Sequence, residues 1–220
     1  MATKGVFRVE CPSCGENFDA DFWTVVRGDR DHEVKELILS GEFDLLMCPK
    51  CSGLFPHEEP FIYMDPGRDI LAFVMPETYA AEKDKWIARM QTDYAPVRAS
   101  MAASHALACE PVYFFGLGPL TGLLESDRDR EEETEVMEFM AREAGLRLLP
   151  VQPAAARSLD VMFSMPAARG LCGRAAVLQA AQELLAKNDA LRRLKNLVTV
   201  LSAAQGDAIP FAKADEAPSS

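Results

Sequence analysis

The chain has 220 residues and a mass of 24.2 kDa, enough to bury a hydrophobic core without disulfide bonds. Its formal net charge of −11 argues against binding to nucleic-acid phosphates or to an anionic membrane surface. The longest run without charges, residues 111–124, is shorter than the roughly 20 apolar residues that span a bilayer. The N-terminus also lacks the apolar segment of a secretory signal. We therefore expect a soluble, cytoplasmic protein that binds neither nucleic acid nor membrane.

Short strands and one helix are predicted in the first third of the chain. Asp31 is in the position of a helix N-cap, and Gly41 follows that helix as its stop. The turn Asp65-Pro66-Gly67 separates two apolar runs and predicts a hairpin. The predicted strands lie at residues 5–11, 17–26, 43–48, 60–64 and 70–75.

Helices are predicted to dominate after residue 76. A helix begins at Thr78, a buried strand follows at residues 111–115, and a short helical turn lies at 119–124. Segment 127–145 is the clearest helix, because acidic residues crowd its first turns and Gly145 ends it. Residues 146–173 are rich in Pro and Ala and are predicted to be a connector with one strand.

Residues 174–203 are predicted to be helical again, with a break at Asn188-Asp189. Two interpretations of their apolar stripe remain: it covers the protein's own core, or it binds a partner protein or a second copy of the chain. The long connector before it favours self-association or partner docking, and we predict that role. The stripe consists of Val177, Leu184, Leu191, Leu194, Val198 and Leu201.

Two copies of a C-P-x-C motif carry the strongest chemical signal. They are Cys11-Pro12-Ser13-Cys14 and Cys48-Pro49-Lys50-Cys51. One C-x-x-C turn offers two ligands, so two turns that face each other complete the tetrahedral set that zinc prefers. Paired cysteines in a reducing cytoplasm are metal ligands more often than structural disulfides. We predict one structural Zn²⁺ bound by Cys11, Cys14, Cys48 and Cys51.

Two other interpretations of these cysteines are a redox dithiol and a set of fortuitous thiols. The redox interpretation requires a cysteine at a helix N-terminus, which would lower its pKa. Neither 15–23 nor 52–57 has the sequence of a helix start. Four cysteines with no further ligand at motif spacing indicate a closed site without catalysis.

The cysteine motifs stand in a longer ordered pattern. After C-P-S-C-G come D-H-E-V-K-E-L-I-L-S-G-E-F, C-P-K-C, P-F-I-Y-M-D and a strand ending in M-P-E. This order resembles the CpXC family, a group of bacterial and archaeal proteins named for the two cysteine motifs. The resemblance covers about residues 6–145 and implies the same four cysteines as zinc ligands. Members often have His-Asp where this chain has Met64-Asp65, so no role of that histidine transfers.

The isolated cysteines and histidines are expected to have structural roles. We expect Cys109 and Cys172 to be small buried hydrophobic residues. His105 precedes Cys109 by four residues, but Glu110-Pro111 ends any helix that would align the pair for catalysis. His32 and His57 are expected at the surface.

Two sequence patterns resemble ligand sites but fit structural roles better. The glycines at 116, 118 and 122 follow a strand, yet the spacing is not G-x-G-x-x-G and no Walker lysine follows, which favours a tight turn. The acidic run 127–135 is expected to be a solvated helix face rather than a metal site.

The predicted fold class is α+β: a small, antiparallel, zinc-ribbon-like β-domain with an inserted helix, followed by a mainly helical C-terminal part. We place the CpXC-like domain at residues 1–145 with its ribbon core at about 6–75, a helical extension at 146–206 and a disordered tail at 207–220. The predicted function is a zinc-stabilised interaction or scaffold module. The alternatives are a nucleic-acid or transcription-associated zinc ribbon and a thiol-based redox protein.

Overall fold

The computed structural model describes residues 3–101, 110–204, 206 and 209, and for residues 96–101 the backbone alone. Two compact units make up the chain, Met1–Glu125 and Ser126–Ser220. The first unit is rich in β-sheet and the second is mainly helical, so the predicted α+β class is confirmed. Along the described ranges, no helix combines the length and apolarity needed to cross a membrane.

The first unit alternates strands with two helices and two short 3₁₀ turns, at Pro66–Arg68 and Glu77–Glu82. A further helix starts near the C-terminal end of this unit. In chain order the described elements are β1 (Thr3–Glu10), β2 (Asn17–Arg27), α1 (His32–Ser40), β3 (Leu45–Met47), β4 (Leu54–Pro56), β5 (Phe61–Asp65), β6 (Ile70–Met75), α2 (Lys83–Met101), β7 (Val112–Phe115) and α3 (Gly118–Glu143).

The main sheet has the strand order β1-β2-β5-β6-β7 within the described residues. The pairs β1–β2 and β5–β6 are antiparallel, whereas β2–β5 and β6–β7 are parallel. The expectation of an antiparallel β-domain is therefore wrong, and the sheet is mixed. The connections explain this, because α1 with the β3–β4 hairpin separates β2 from β5, and α2 separates β6 from β7. Crossovers of that length are what parallel pairs require.

Both faces of the sheet are covered in the first unit. On one face Tyr63 and Val74 pack with Ile38 of α1 and Leu120 of α3. On the other face Phe73 and its neighbours pack against α2. All six residues of β6 are buried, as expected for a central strand between two layers.

Local signals in the sequence predicted two turns of this unit correctly. Gly41 ends α1 in the left-handed conformation with φ 75°. The predicted hairpin joins β5 to β6, where Asp65 Oδ1 accepts a hydrogen bond from the Arg68 N–H at 3.2 Å. Asp31 precedes α1 but does not cap it, since its carboxylate accepts from the Arg27 N–H instead.

The division between the two compact units lies inside α3. The predicted turn at 119–124 and helix at 127–145 are one helix, Gly118–Glu143. Leu120 and Leu124 of α3 belong to a core cluster of the first unit, while Met137 and Ala141 belong to the core of the second. A helix whose two ends bury their apolar residues in different cores cannot be assigned to one domain from its periodicity.

The second unit adds two strands and three helices, within the described residues, to the end of α3. The predicted connector is ordered, and its two strands pair antiparallel. The predicted disordered tail at 207–220 lies outside the described residues, except Ile209, which packs against this core. The elements are β8 (Arg147–Pro150), α4 (Pro153–Ser158), β9 (Ser164–Ala167), α5 (Gly173–Lys187) and α6 (Arg192–Ala203).

The apolar stripe of residues 174–203 forms the centre of the second unit's core. Val177, Leu184 and Leu194 are completely buried, and Leu191 and Leu201 nearly so. They pack with Met137, Met162 and Met165, among others. The chain's own core therefore covers these residues, which is the first of the two interpretations of the stripe, while partner binding or self-association stays a prediction.

Part of the acidic run 127–135 is buried in ion pairs, which corrects the expectation of a fully solvated face. Asp127 accepts from Arg130 Nη1 at 2.7 Å and from Arg157 Nη2 at 2.7 Å. Arg130, of which 3% is exposed, also donates its Nε–H to the Val161 carbonyl. Glu133 pairs in the same way with Arg193. These pairs tie α3 to α4, to the loop before β9 and to α6.

Candidate metal centre

Each cysteine motif lies in a turn between two strands. The first turn joins β1 to β2, and the second joins β3 to β4. In the first, the Cys11 N–H donates to the Glu16 carbonyl, and the Gly15 N–H donates to the Cys11 carbonyl. Cys48 makes the equivalent pair of bonds with Gly53 and Ser52. The two turns therefore share one backbone conformation, which points both pairs of thiols the same way relative to their strands.

The four thiols meet in a single cluster, as the sequence predicted. Their sulfur atoms all lie within 4.8 Å of one another. The distance is 3.8 Å from Cys11 Sγ to Cys51 Sγ and 3.7 Å from Cys14 Sγ to Cys48 Sγ. Four sulfurs bound at about 2.3 Å to one tetrahedral ion lie about 3.8 Å apart, whereas a disulfide needs about 2.05 Å. The spacing fits a metal ion and excludes a disulfide across these pairs.

Burial differs within the cluster. Cys11 and Cys48 are buried against Val9, Phe22 and Phe55, while Cys14 and Cys51 are exposed. The inner thiols therefore connect the cluster to the core that holds the β3–β4 hairpin against β1 and β2. Loss of the cluster would release that packing.

The thiol pKa values diverge because four acidic groups share one small volume. Hydrogen bonds from the backbone N–H groups of Cys51 and Lys50 lower the pKa of Cys48 to about 7, against the effect of burial. The Glu16 N–H lowers the pKa of Cys14, but desolvation and hydrogen bonds with the other thiols raise it to about 12. Four thiolates can coexist here only with a cation among them, which is the chemistry of a metal site.

A salt bridge links the two turns beside the cluster. Lys50 Nζ of the second turn lies 2.7 Å from Glu16 Oε2 of the first. The bridge raises the pKa of Lys50, and the thiols of Cys14 and Cys48 add to this effect. The lysine ammonium group therefore lies near the thiols, where a positive charge favours their ionised forms.

Ser52 occupies a backbone position that favours glycine. Its φ is 56°, and the equivalent Gly15 of the first turn has φ 68°. We expect Ser52→Gly to raise the free energy of unfolding of the metal-loaded protein by about 0.5–1 kcal/mol, because glycine avoids the left-handed strain of an L-residue. Gly15→Ser is the matched control and should destabilise by a similar amount. Denaturant unfolding measures both variants, and a change of the same sign in the two would contradict this explanation.

The other singled-out residues do not join the cluster. Cys172 is exposed at the start of α5, so the expectation of a buried thiol is wrong for it. His105 and Cys109 lie outside the described residues. Gly116 forms the predicted tight turn, with φ 77° and its N–H donating to the Met75 carbonyl.

The expectation of two surface histidines holds for His32 and is only partly correct for His57. His32 is exposed. The His57 ring packs on Phe22, with ring centroids 5.2 Å apart, and its Nε2 lies 3.1 Å from Glu59 Oε1.

An acidic cleft that the sequence did not reveal lies beyond the β3–β4 hairpin. It has a volume of about 750 Å³ and carries the carboxylates of Asp44, Glu58 and Glu77. Burial and the charge of Glu58 raise the pKa of Asp44 to about 6, although His57 opposes the shift. The available signal was weak, because Asp44 and Glu58 merely flank two short strands in the sequence.

Asp44→Asn is expected to stabilise the protein at neutral pH. A raised carboxyl pKa means that the ionised form disfavours the folded state, and this cost disappears as the pH falls through 6 towards 4. We expect a gain of about 1–2 kcal/mol at pH 7, less than the full shift implies because the side chain is partly screened by water. Urea unfolding at pH 7 and at pH 4.5 measures the effect, with exposed Asp84→Asn as the control. An equal effect of Asp44→Asn at both pH values would contradict the assignment.

The comparison with known families agrees with this geometry. The family model described as CpXC protein matches residues 9–117. No curated protein and no solved structure matches the chain significantly. The matched span contains both cysteine turns and ends at the turn before α3, so it is shorter than the resemblance that we extended to residue 145. Through residues 9–117, with all four clustered cysteines, the chain belongs to the CpXC family.

Proposed function

We propose that Cys11, Cys14, Cys48 and Cys51 bind one Zn²⁺ as thiolates and that this ion is structural. The observation that carries the proposal is the sulfur spacing of 3.7 and 3.8 Å between the two turns. All-sulfur donor sets suit zinc, and four protein ligands leave no position for a reacting water. The ion would join the β1–β2 and β3–β4 turns and so stabilise a module for protein interaction, with no reaction of its own.

The backbone context argues against the redox alternative. Both C-x-x-C turns connect strands, whereas reactive dithiols have one cysteine at a helix N-terminus that depresses its pKa. Cys11 and Cys48 are buried, which also limits attack on them. A structural zinc site is closed by four protein ligands, and the burial of Cys11 and Cys48 agrees with such a site.

Metal analysis of anaerobically purified protein tests the proposal. We expect one zinc per chain by native mass spectrometry, and four additional thiols that react with a thiol reagent after the metal is chelated. The increase in reactive thiols identifies the cysteines as ligands. Less than half a metal per chain, or a Cys11–Cys14 disulfide in the resting protein, contradicts the proposal.

The acidic charge also argues against the nucleic-acid alternative. Residues 1–97 hold 18 Asp and Glu against 10 Lys and Arg. Phosphate contacts supply most non-specific binding, with typical dissociation constants of roughly 10⁻⁴–10⁻⁶ M. We expect no change in the anisotropy of labelled DNA or RNA at low salt up to about 10⁻⁵ M protein. Salt-sensitive binding in that range would restore the nucleic-acid function.

A further inference from the structure

The outer face of the β3–β4 hairpin is apolar and exposed. It consists of four side chains, which we call the ribbon face: Leu45, Met47, Leu54 and Pro56. The register places Leu45 opposite Pro56 and Met47 opposite Leu54, so all four lie on one side of the hairpin. The exposed fractions of Leu45, Met47 and Leu54 are 45%, 64% and 70%.

The inner face of the hairpin already supplies its packing. Phe55, opposite Leu46, is 7% exposed and packs with the buried cysteines and Phe22. A two-stranded sheet with one face on the core normally carries polar residues on the other face. The ribbon face departs from that pattern, and apolar side chains grouped in this way mark interaction surfaces.

The ribbon face runs from the cysteine cluster at one end to the acidic cleft at the other. Met47 directly precedes Cys48, while Leu45 and Pro56 line the cleft together with Asp44 and Glu58. The Glu58 carboxylate accepts from the Glu77 N–H at 2.7 Å, which fixes its position in the cleft. Among the residues that the structure describes, no lysine or arginine forms an ion pair with these carboxylates.

We propose that the ribbon face and the acidic cleft together bind a segment of a partner protein that has apolar side chains next to a lysine or arginine. The apolar side chains would cover Met47 and Leu54, and the cation would enter the cleft between Asp44 and Glu58. This proposal deepens the interaction role given above and rests on it, because the metal would hold the hairpin in place.

Charge complementarity selects this partner chemistry. Burial and the charge of Glu58 in the same open cleft both make the ionised Asp44 costly in the free protein. A cation from a partner removes both costs at once. Methionine adapts its shape to different apolar partners, which suits Met47 at the middle of the face. The preference for a basic, apolar segment therefore follows from the residues on both parts of the surface.

The inference can be tested by selecting peptides from a random library. The target is the zinc-loaded full-length chain. We expect the selected peptides to share apolar residues beside a lysine or arginine. A labelled selected peptide should lose about tenfold or more in affinity for the Met47→Asp/Leu54→Asp double variant. Asp44→Asn should also lower the affinity for the same peptide. Replacement of the peptide's lysine or arginine by glutamate should lower it as well. Phe139→Asp, at a 63% exposed site in the second unit, is the control and should bind as the parent does.

Three outcomes of the peptide experiments would overturn the inference. They are no enriched peptide, enriched peptides without a cation, and equal affinity of a selected peptide for the double variant. A wild-type dimer that Met47→Asp/Leu54→Asp converts to a monomer would also overturn it, since a second copy would then be the occupant. The zinc content of each variant separates the two proposals: if the metal is absent, the proposed function fails, whereas a metal-loaded protein without peptide binding refutes only the docking surface.

Discussion

Cys48→Ser is expected to abolish stoichiometric zinc binding and to unfold the hairpin and the β1–β2 strands of the first unit. Metal binding in small zinc domains contributes apparent free energies of about 10–16 kcal/mol at pH 7, comparable with the whole stability of a domain. Cys48 is also fully buried beside Phe55, so its loss removes a ligand and a packing contact. Zinc analysis and hydrogen exchange over residues 3–56 measure the two effects.

Cys172→Ser is the matched control for this substitution. Cys172 is an exposed cysteine in the second unit and does not belong to the cluster. We expect this variant to keep its zinc and the parent's exchange pattern. The second unit has a core of its own residues, so its helices should stay protected in Cys48→Ser as well. A Cys48→Ser protein with a full zinc equivalent and unchanged exchange would show that the cluster does not hold the metal.

Asp127→Asn is expected to destabilise the second unit by about 3–5 kcal/mol, because it removes a buried carboxylate that pairs with both Arg130 and Arg157. The Asp127 side chain is 9% exposed and lies 2.7 Å from both Arg130 and Arg157. Asparagine has nearly the same shape, so the change removes charge without opening a cavity. Hydrogen exchange of α3, α4 and α6 under increasing denaturant reports the loss in this unit.

Asp93→Asn is the control for the charge change alone. Asp93 pairs with Arg89 at 3.8 Å, and both side chains are more than 60% exposed. Exposed pairs contribute about 0–1 kcal/mol, so this variant should be close to the parent. Equal effects of Asp127→Asn and Asp93→Asn would mean that the buried network adds nothing to stability.

The cysteine cluster could be predicted because the information that specifies it is local. Each C-P-x-C turn places two thiols at the end of a strand, and two such turns together supply the four sulfur atoms of a tetrahedral set. Gly41 and the Asp65-Pro66-Gly67 turn were predictable for the same reason, since a few consecutive residues determine the backbone there. The sequence order of the motifs also identified the family.

Pairing and burial depended on residues that are far apart in the chain. Periodicity showed that residues 174–203 had an apolar stripe, but not that Met137, Met162 and Met165 cover it. The parallel pairing of β2 with β5 followed from where the chain returns after α1 and the hairpin, which composition does not encode. The division between the two units inside α3 likewise depended on packing between residues that are far apart in the chain.

The sequence by itself determined the four cysteines of the cluster, the mixture of strands and helices, and the local turns of this protein. Only the tertiary structure decided which apolar residues are covered. Leu194 and Met47 are both apolar residues in regular elements, yet Leu194 is completely buried and Met47 is 64% exposed. The physical reason is that burial depends on which other element packs against a side chain, and strand pairing and helix packing fix that choice across long separations in sequence.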